Sequence, residues 1–103
     1  MDAPQHFLAV LRLVERLRVA SGWTKADEDA VEQHFRRLQE AAQAGTVLFA
    51  GRTDEPFDVT IGLVVFQAAD LAAAKAWAEA DPTVVRDVMT VEVRPYRLAV
   101  MRP

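Results

Sequence analysis

Apolar positions along the chain follow two rhythms, and the places where one gives way to the other mark its elements. His6 to Val14 (HFLAVLRLV) is dense in Leu, Val and Phe and too short for an independent helix, so it reads as a strand with Arg12 as its polar interruption. Glu15 to Gly22 carries mixed charge and ends in Ser-Gly, the composition of a loop. A helical rhythm then takes over. Val31, His34, Phe35, Leu38, Ala41 and Ala42 recur at spacings of three and four, which puts them on one face of a helix. Thr24 can cap its start and Asp27, three residues on, completes a capping box, while acidic residues in the first turn complement the dipole. Gly45 suits the left-handed position after its end.

The alternating rhythm returns in Thr46 to Arg52 (TVLFAGR) and Val59 to Gln67 (VTIGLVVFQ), two strands joined by TDEPFD, whose Pro and Asp residues suit a hairpin loop. Asp70 can cap a second helix through Ala80, with Leu71, Ala74, Trp77 and Ala78 as its apolar stripe and Pro82 as its stop. Val88 to Arg94 (VMTVEVR) predicts a fourth strand, resumed from Tyr96 to Met101 beyond Pro95, which belongs at an edge or bend. The order strand, helix, strand, strand, helix, strand is the split βαβ pattern of a ferredoxin-like α+β domain, an antiparallel sheet with both helices on one face. In a monomer the other face should be polar. Here Val59, Ile61, Leu63 and Val65 point one way while Gly62, Val64 and Phe66 point the other. Two apolar faces need two covers, so a homodimer packed through the sheet face is expected.

Length and composition narrow the function. At 103 residues, about half of them apolar, residues 1–103 make one domain with a single core. Lys and Arg are scattered and the net charge is slightly negative, so no basic footprint for nucleic acid or an anionic membrane is present. The absence of cysteine excludes disulfides, thiolate metal sites and a cysteine nucleophile, and fits a cytoplasmic protein. No apolar run approaches the roughly 20 residues of a membrane span, and no signal peptide is expected at the N-terminus. Two isolated histidines without a carboxylate at ligand spacing predict no metal site. With no phosphate-cradling loop, nucleophile elbow or dinucleotide fingerprint, no cofactor is expected.

His34 carries the clearest chemical signal, because an aliphatic residue would suit its stripe better. A buried imidazole needs a partner, and its neutral form holds one donor and one acceptor nitrogen. A core histidine with both nitrogens simply satisfied is the plainer alternative. Asp81 is the second odd residue, a carboxylate at the end of the second helix where the dipole disfavours it; Asp-Pro is also an ordinary helix stop. In this topology the two helices run from the same end of the sheet. His34 and Asp81 each lie about ten positions beyond their caps, roughly 15 Å along at 1.5 Å per residue, and can be neighbours. A carboxylate on one ring nitrogen would fix the tautomer and make the other the proton acceptor.

His34 within EQHFRRLQEAAQAG, followed by TVLFAGRT, IGLVVF, AEADPTVV and VMTVEVRPYRLAV, resembles the YCII-related (YciI-like) domain family along nearly the whole chain. The resemblance implies a ferredoxin-like fold of the dimeric α/β-barrel superfamily and a His-Asp active-site pair falling on His34 and Asp81. The family often has glycine a few residues after Asp-Pro; this chain has Arg86 and then Asp87, a departure expected to narrow or recharge the pocket. At the Ala50-Gly51-Arg52 turn, Gly51 would let backbone approach a ligand and Arg52 would clamp a substrate carboxylate, unless it is simply a solvated strand-end residue. Arg12 either faces the pocket or extends to solvent. Tyr96 is read as a pocket hydroxyl or a dimer-packing residue, His6 as a surface residue, and Trp23 and Trp77 as packing residues. These features predict a cofactor-independent enzyme that moves a proton on a small organic acid or related metabolite in an elimination, isomerisation or hydrolysis. The alternatives are a noncatalytic small-molecule-binding or regulatory dimer and a purely structural module.

Overall fold

The structure, a computed structural model, describes residues 5–103. Residues 1–4, which open both the expected domain span and the stretch read as lacking a signal peptide, lie outside the described residues. Four strands, β1 (Gln5–Leu13), β2 (Val47–Arg52), β3 (Ile61–Ala68) and β4 (Met89–Tyr96), form one antiparallel sheet in the order β2-β3-β1-β4. Helices α1 (Lys25–Gln43) and α2 (Leu71–Glu79) are the two crossovers of the split βαβ pattern, and a one-turn helix α3 (Pro82–Val85) leads into β4. The fold is ferredoxin-like α+β, as the element order predicts. Among the described residues no helix is long and apolar enough to cross a membrane.

The registers sort the sheet into two faces. Phe7, Ala9 and Leu11 of β1 stand opposite Phe66, Val64 and Gly62 of β3, and this face carries the main core with Val47 and Ala74. Phe66 links the core aromatics, with its ring centroid 6.1 Å from Phe7 and 4.6 Å from Trp77. A second, smaller cluster of Leu13, Leu17, Ala30 and Val88 closes one end. On the opposite face Leu8, Val10, Ile61, Leu63 and Val65 form an apolar strip down the two central strands. Beside it, β4 presents Thr90, Glu92 and Arg94. The expected apolar second face is therefore narrower than the alternation of β3 implies, and Val59 falls outside the strand in an exposed loop position.

Several local expectations change in the fold. Residues Glu15–Leu17 and Ala20–Gly22 are two 3-10 turns rather than an open loop, because Leu17 is completely buried and pins the segment to the small cluster. A Cβ at Gly22 would collide with the Arg16 carbonyl oxygen, so glycine is required where the second turn closes over the first. β4 runs unbroken through Pro95, which sits opposite Phe7 on an edge strand and so withholds no interior hydrogen bond; it ends at Tyr96, and no strand resumes toward Met101. The capping box of α1 forms as the sequence predicts: the Asp27 amide donates to Thr24 Oγ1, and the Thr24 amide donates to Asp27 Oδ2.

Candidate active site

His34 lies midway along α1 and Asp81 immediately precedes α3, and their side chains meet: His34 Nδ1 donates to Asp81 Oδ2 across 2.7 Å. Both are withdrawn from solvent, with side chains 13% and 5% exposed. Asp81 is not left against the negative end of α2. Pro82 stops that helix and opens α3, so Asp81 becomes an N-cap, a position that suits a carboxylate. Its other oxygen, Oδ1, accepts from the Thr83 amide at 2.9 Å and from the Thr83 hydroxyl at 2.6 Å. Burial pushes the Asp81 carboxyl up, but hydrogen bonds from His34 and Thr83 more than offset it and hold it below its ordinary value. An ionised Asp81 accepts from Nδ1–H and leaves the lone pair on Nε2 of the neutral ring.

His34 Nε2 has no hydrogen bond to the described residues, yet no fully buried side-chain nitrogen or oxygen among them lacks one. This nitrogen is therefore not fully enclosed. His34 borders a cavity of about 670 Å³ between α1 and the sheet. The α1 stripe is shared between core and cavity: Val31, Leu38 and Ala41 pack against the core clusters, while Val31, His34, Phe35, Leu38 and Ala42 line the cavity, and Phe35 remains 61% exposed. Leu11, Gly62 and Val64 form its floor, and Trp23 and Phe57 close one end with ring centroids 5.6 Å apart. Trp23 is held there by a hydrogen bond from Nε1 to the Leu17 carbonyl at 3.0 Å.

The remaining candidate residues separate by face. Gly51 and Arg52 line the cavity at the end of β2, with Arg52 opposite Gly62 in the register. Nothing lies within 4 Å of where a Gly51 Cβ would be, so the backbone there is unobstructed. Arg12 stands elsewhere. It pairs with Ile61 and Thr90 on the opposite sheet face, where it is exposed, because β1 alternates and Leu11 and Leu13 take the cavity side. Tyr96 and His6 are paired on that same distal face, and Gln67 Nε2 lies 3.4 Å from His6 Nε2. Trp77 packs in the core rather than at the cavity.

Asp87 neither narrows nor recharges the cavity, since it is not among the lining residues. Its backbone is left-handed, φ 59°, the conformation that glycine adopts most easily and Asp tolerates. This gives a physical reason for glycine at that turn in the family pattern. The Asp87 carbonyl accepts from Arg16 Nη2 at 3.0 Å.

Arg37 and Thr83 complete the site and are not apparent from the stripe. Arg37 follows His34 by three positions and turns toward α2: Nη1 is 3.4 Å from Asp81 Oδ2, and Nη2 donates to the Trp77 carbonyl at 2.6 Å. The guanidinium also lies over the Trp77 ring, 4.4 Å from the centroid. It thus satisfies a carbonyl in the last turn of α2 while adding positive charge beside Asp81. The signal in the sequence is the i, i+3 spacing from His34, although Arg36 next to it carries the same charge and instead pairs with Glu32 on the exposed side. Among the described residues no group of three His, Cys, Asp or Glu side chains converges as a metal site would require.

The YCII-related domain model matches residues 9–97. The chain belongs to the YCII-related domain family. Its fold is similar to that in the crystal structure of PA3566 from Pseudomonas aeruginosa, at a TM-score of 0.48 and 19% identity over 96% of this chain and 98% of that one. No curated protein matches it.

Proposed function

We propose that this YCII-related protein is a cofactor-independent proton-transfer enzyme acting on an organic acid, with His34 as the general base and acid and Asp81 as the residue that orients it. The carrying observation is the 2.7 Å contact at Nδ1 combined with an Nε2 left free beside a cavity. In that arrangement Nε2 accepts a proton from a substrate C–H next to a carbonyl, or from a water or hydroxyl. Asp81 stabilises the imidazolium that forms, and the same nitrogen returns the proton to product. This chemistry serves elimination, isomerisation and hydrolysis alike. Arg52 at the cavity's edge supplies positive charge for a substrate anion.

The protein is proposed to work as a cytoplasmic homodimer through the distal sheet face. The apolar strip of Leu8, Val10, Ile61, Leu63 and Val65 supports that assembly, and the absence of cysteine supports the compartment. Incubation with a panel of 2-oxo acids and unsaturated lactones in D2O tests the reaction by NMR. Deuterium is expected at the carbon next to the carbonyl in at least one compound, and this exchange should vanish in His34→Gln. No exchange above background across the panel would favour the second reading, a binding dimer without turnover. The observation behind that reading is the scarcity of polar groups around Nε2 in a largely apolar cavity.

A further inference from the structure

The cavity has the wrong lining for a small, highly charged acid. Around His34 it presents apolar side chains from α1 and the sheet, and one end is an aromatic corner built from Trp23 and Phe57. The corner is anchored on one side, because the Trp23 indole is tied to the Leu17 carbonyl, while Phe57 stays 36% exposed in the β2–β3 loop. Phe35 adds a second exposed ring along the α1 wall. Large aromatic side chains held in the open around a cavity leave apolar area to be covered by an occupant. A dicarboxylate such as malonate would lose hydration there without compensation from most of the lining.

Positive charge is available at one place. Arg52 ends β2 on the cavity side of the sheet, beside Gly62 and in line with Leu11. It has no ion-pair partner among the described residues. The two cavity-lining arginine and histidine groups differ in readiness: His34 is already engaged through Nδ1 by Asp81, whereas Arg52 is uncommitted. A lone guanidinium at the edge of an apolar chamber matches a ligand with one carboxylate and an apolar body. Gly62 contributes by absence. A Cβ there would touch the Leu11 side chain at an ordinary 3.6 Å, so a larger residue is admissible in the strand but would occupy cavity space beside Arg52.

We infer that the ligand of this site is a ring-bearing organic monocarboxylate, its ring lodged against Trp23 and Phe57 and its carboxylate on Arg52, which leaves the ring-proximal carbons toward His34. This assignment of substrate class rests on the proposed reading of the His34 cavity as the active site. It is tested on the full chain by calorimetry with three probes: 2-naphthoate, its neutral counterpart 2-naphthylmethanol, and malonate. Naphthoate is expected to bind at least tenfold tighter than either of the others and to shift the NMR signal of the Trp23 indole N–H. Arg52→Met should remove the preference of naphthoate over naphthylmethanol, and Gly62→Val should weaken both ring compounds at least tenfold. Each variant is checked for an unchanged fold by its amide spectrum, and Phe57→Ala replaces Gly62→Val if the latter unfolds. Malonate binding as tightly as naphthoate, no naphthoate binding to the wild type, or an unchanged preference in folded Arg52→Met would overturn the assignment. His34→Gln separates the two ideas: it should keep naphthoate within a few-fold of wild-type affinity while abolishing deuterium exchange. Exchange that depends on His34, found together with no ring preference, would refute the substrate class and leave the proton-transfer reading standing.

Discussion

Asp27 and Asp81 are two buried carboxylates at helix N-termini beside an arginine, and the difference between them locates the chemistry. Asp27 is saturated. Arg16 spans both its oxygens at 3.0 Å each, and Thr24 donates to it from both backbone and hydroxyl. The arginine's bonds hold Asp27 well below the ordinary carboxylate range, with the Thr24 amide next in importance. All its partners are groups that stay charged or neutral near pH 7, so the cluster has no proton to exchange with solvent. Asp81 is equally well bonded on Oδ1 by Thr83, but its Oδ2 faces an imidazole whose far nitrogen opens into a cavity. A carboxylate becomes part of a proton path when one of its partners can itself titrate and touch a ligand.

The sharpest way to break the comparison is Asp81→Ala. It strands the Thr83 hydroxyl and amide and the His34 ring at once, and should cost about 2–4 kcal/mol of stability, read by urea unfolding. Asp27→Ala should also lower stability but leave His34 as it was. In long-range 15N–1H NMR, the neutral ring should carry its proton on Nδ1 in the wild type and in Asp27→Ala. Asp81→Asn should lose that downfield Nδ1–H signal. A ring protonated on Nε2 in the wild type would contradict the role assigned to Asp81.

Acid should act on both clusters. Each carboxyl is depressed in the folded state, so below the unfolded carboxylate range, about pH 4, the unfolded chain binds protons that the native chain does not. Their stabilisation is complete above that range and is lost as pH falls through the folded values, with a slope of at most about 1.4 kcal/mol per pH unit for each group. Unfolding followed between pH 5 and 3 should therefore show a shallower slope in Asp81→Asn and in Asp27→Asn than in the wild type. Equal slopes in all three proteins would mean that neither carboxyl is depressed.

Arg37→Met should have a smaller effect, about 1 kcal/mol, since it removes the bond to the Trp77 carbonyl and the stacking on that ring while its side chain, 25% exposed, gives way to another apolar stem. The His34–Asp81 contact should survive, visible as a retained Nδ1–H signal. Asp87→Gly should do least, stabilising the protein by roughly 0.5 kcal/mol through relief of the left-handed backbone. Destabilisation would show that the Asp87 side chain matters to the neighbouring Arg16 cluster.

Much of this contrast is legible along the chain because it is local. Thr24 and Asp27 stand at capping-box spacing, Gly45 takes φ 87° after α1, and Asp70 caps α2, each a short-range bond that residue identity and spacing suffice to specify. The encounter of His34 with Asp81 is legible for a different reason: two helices crossing the same sheet from the same end bring equal distances from their caps together. Arg12 shows where that reasoning stops. A polar residue in an apolar strand is visible, but its face depends on which neighbours the core takes, and Leu11 and Leu13 take it here.

By itself the sequence determined the four strands and two crossover helices, their order and hence the ferredoxin-like topology, because capping, periodicity and turn chemistry act over a few residues. It also determined that one histidine sits on an apolar stripe. Only the tertiary structure decided that the stripe borders a cavity as well as packing on the core, that Asp81 caps a new helix rather than ending an old one, and that Arg37 turns inward while Arg36 turns out. These outcomes depend on how closely α1 approaches the sheet and on where α2 ends relative to it. Such distances arise from the packing of residues far apart in the chain, which no local pattern encodes.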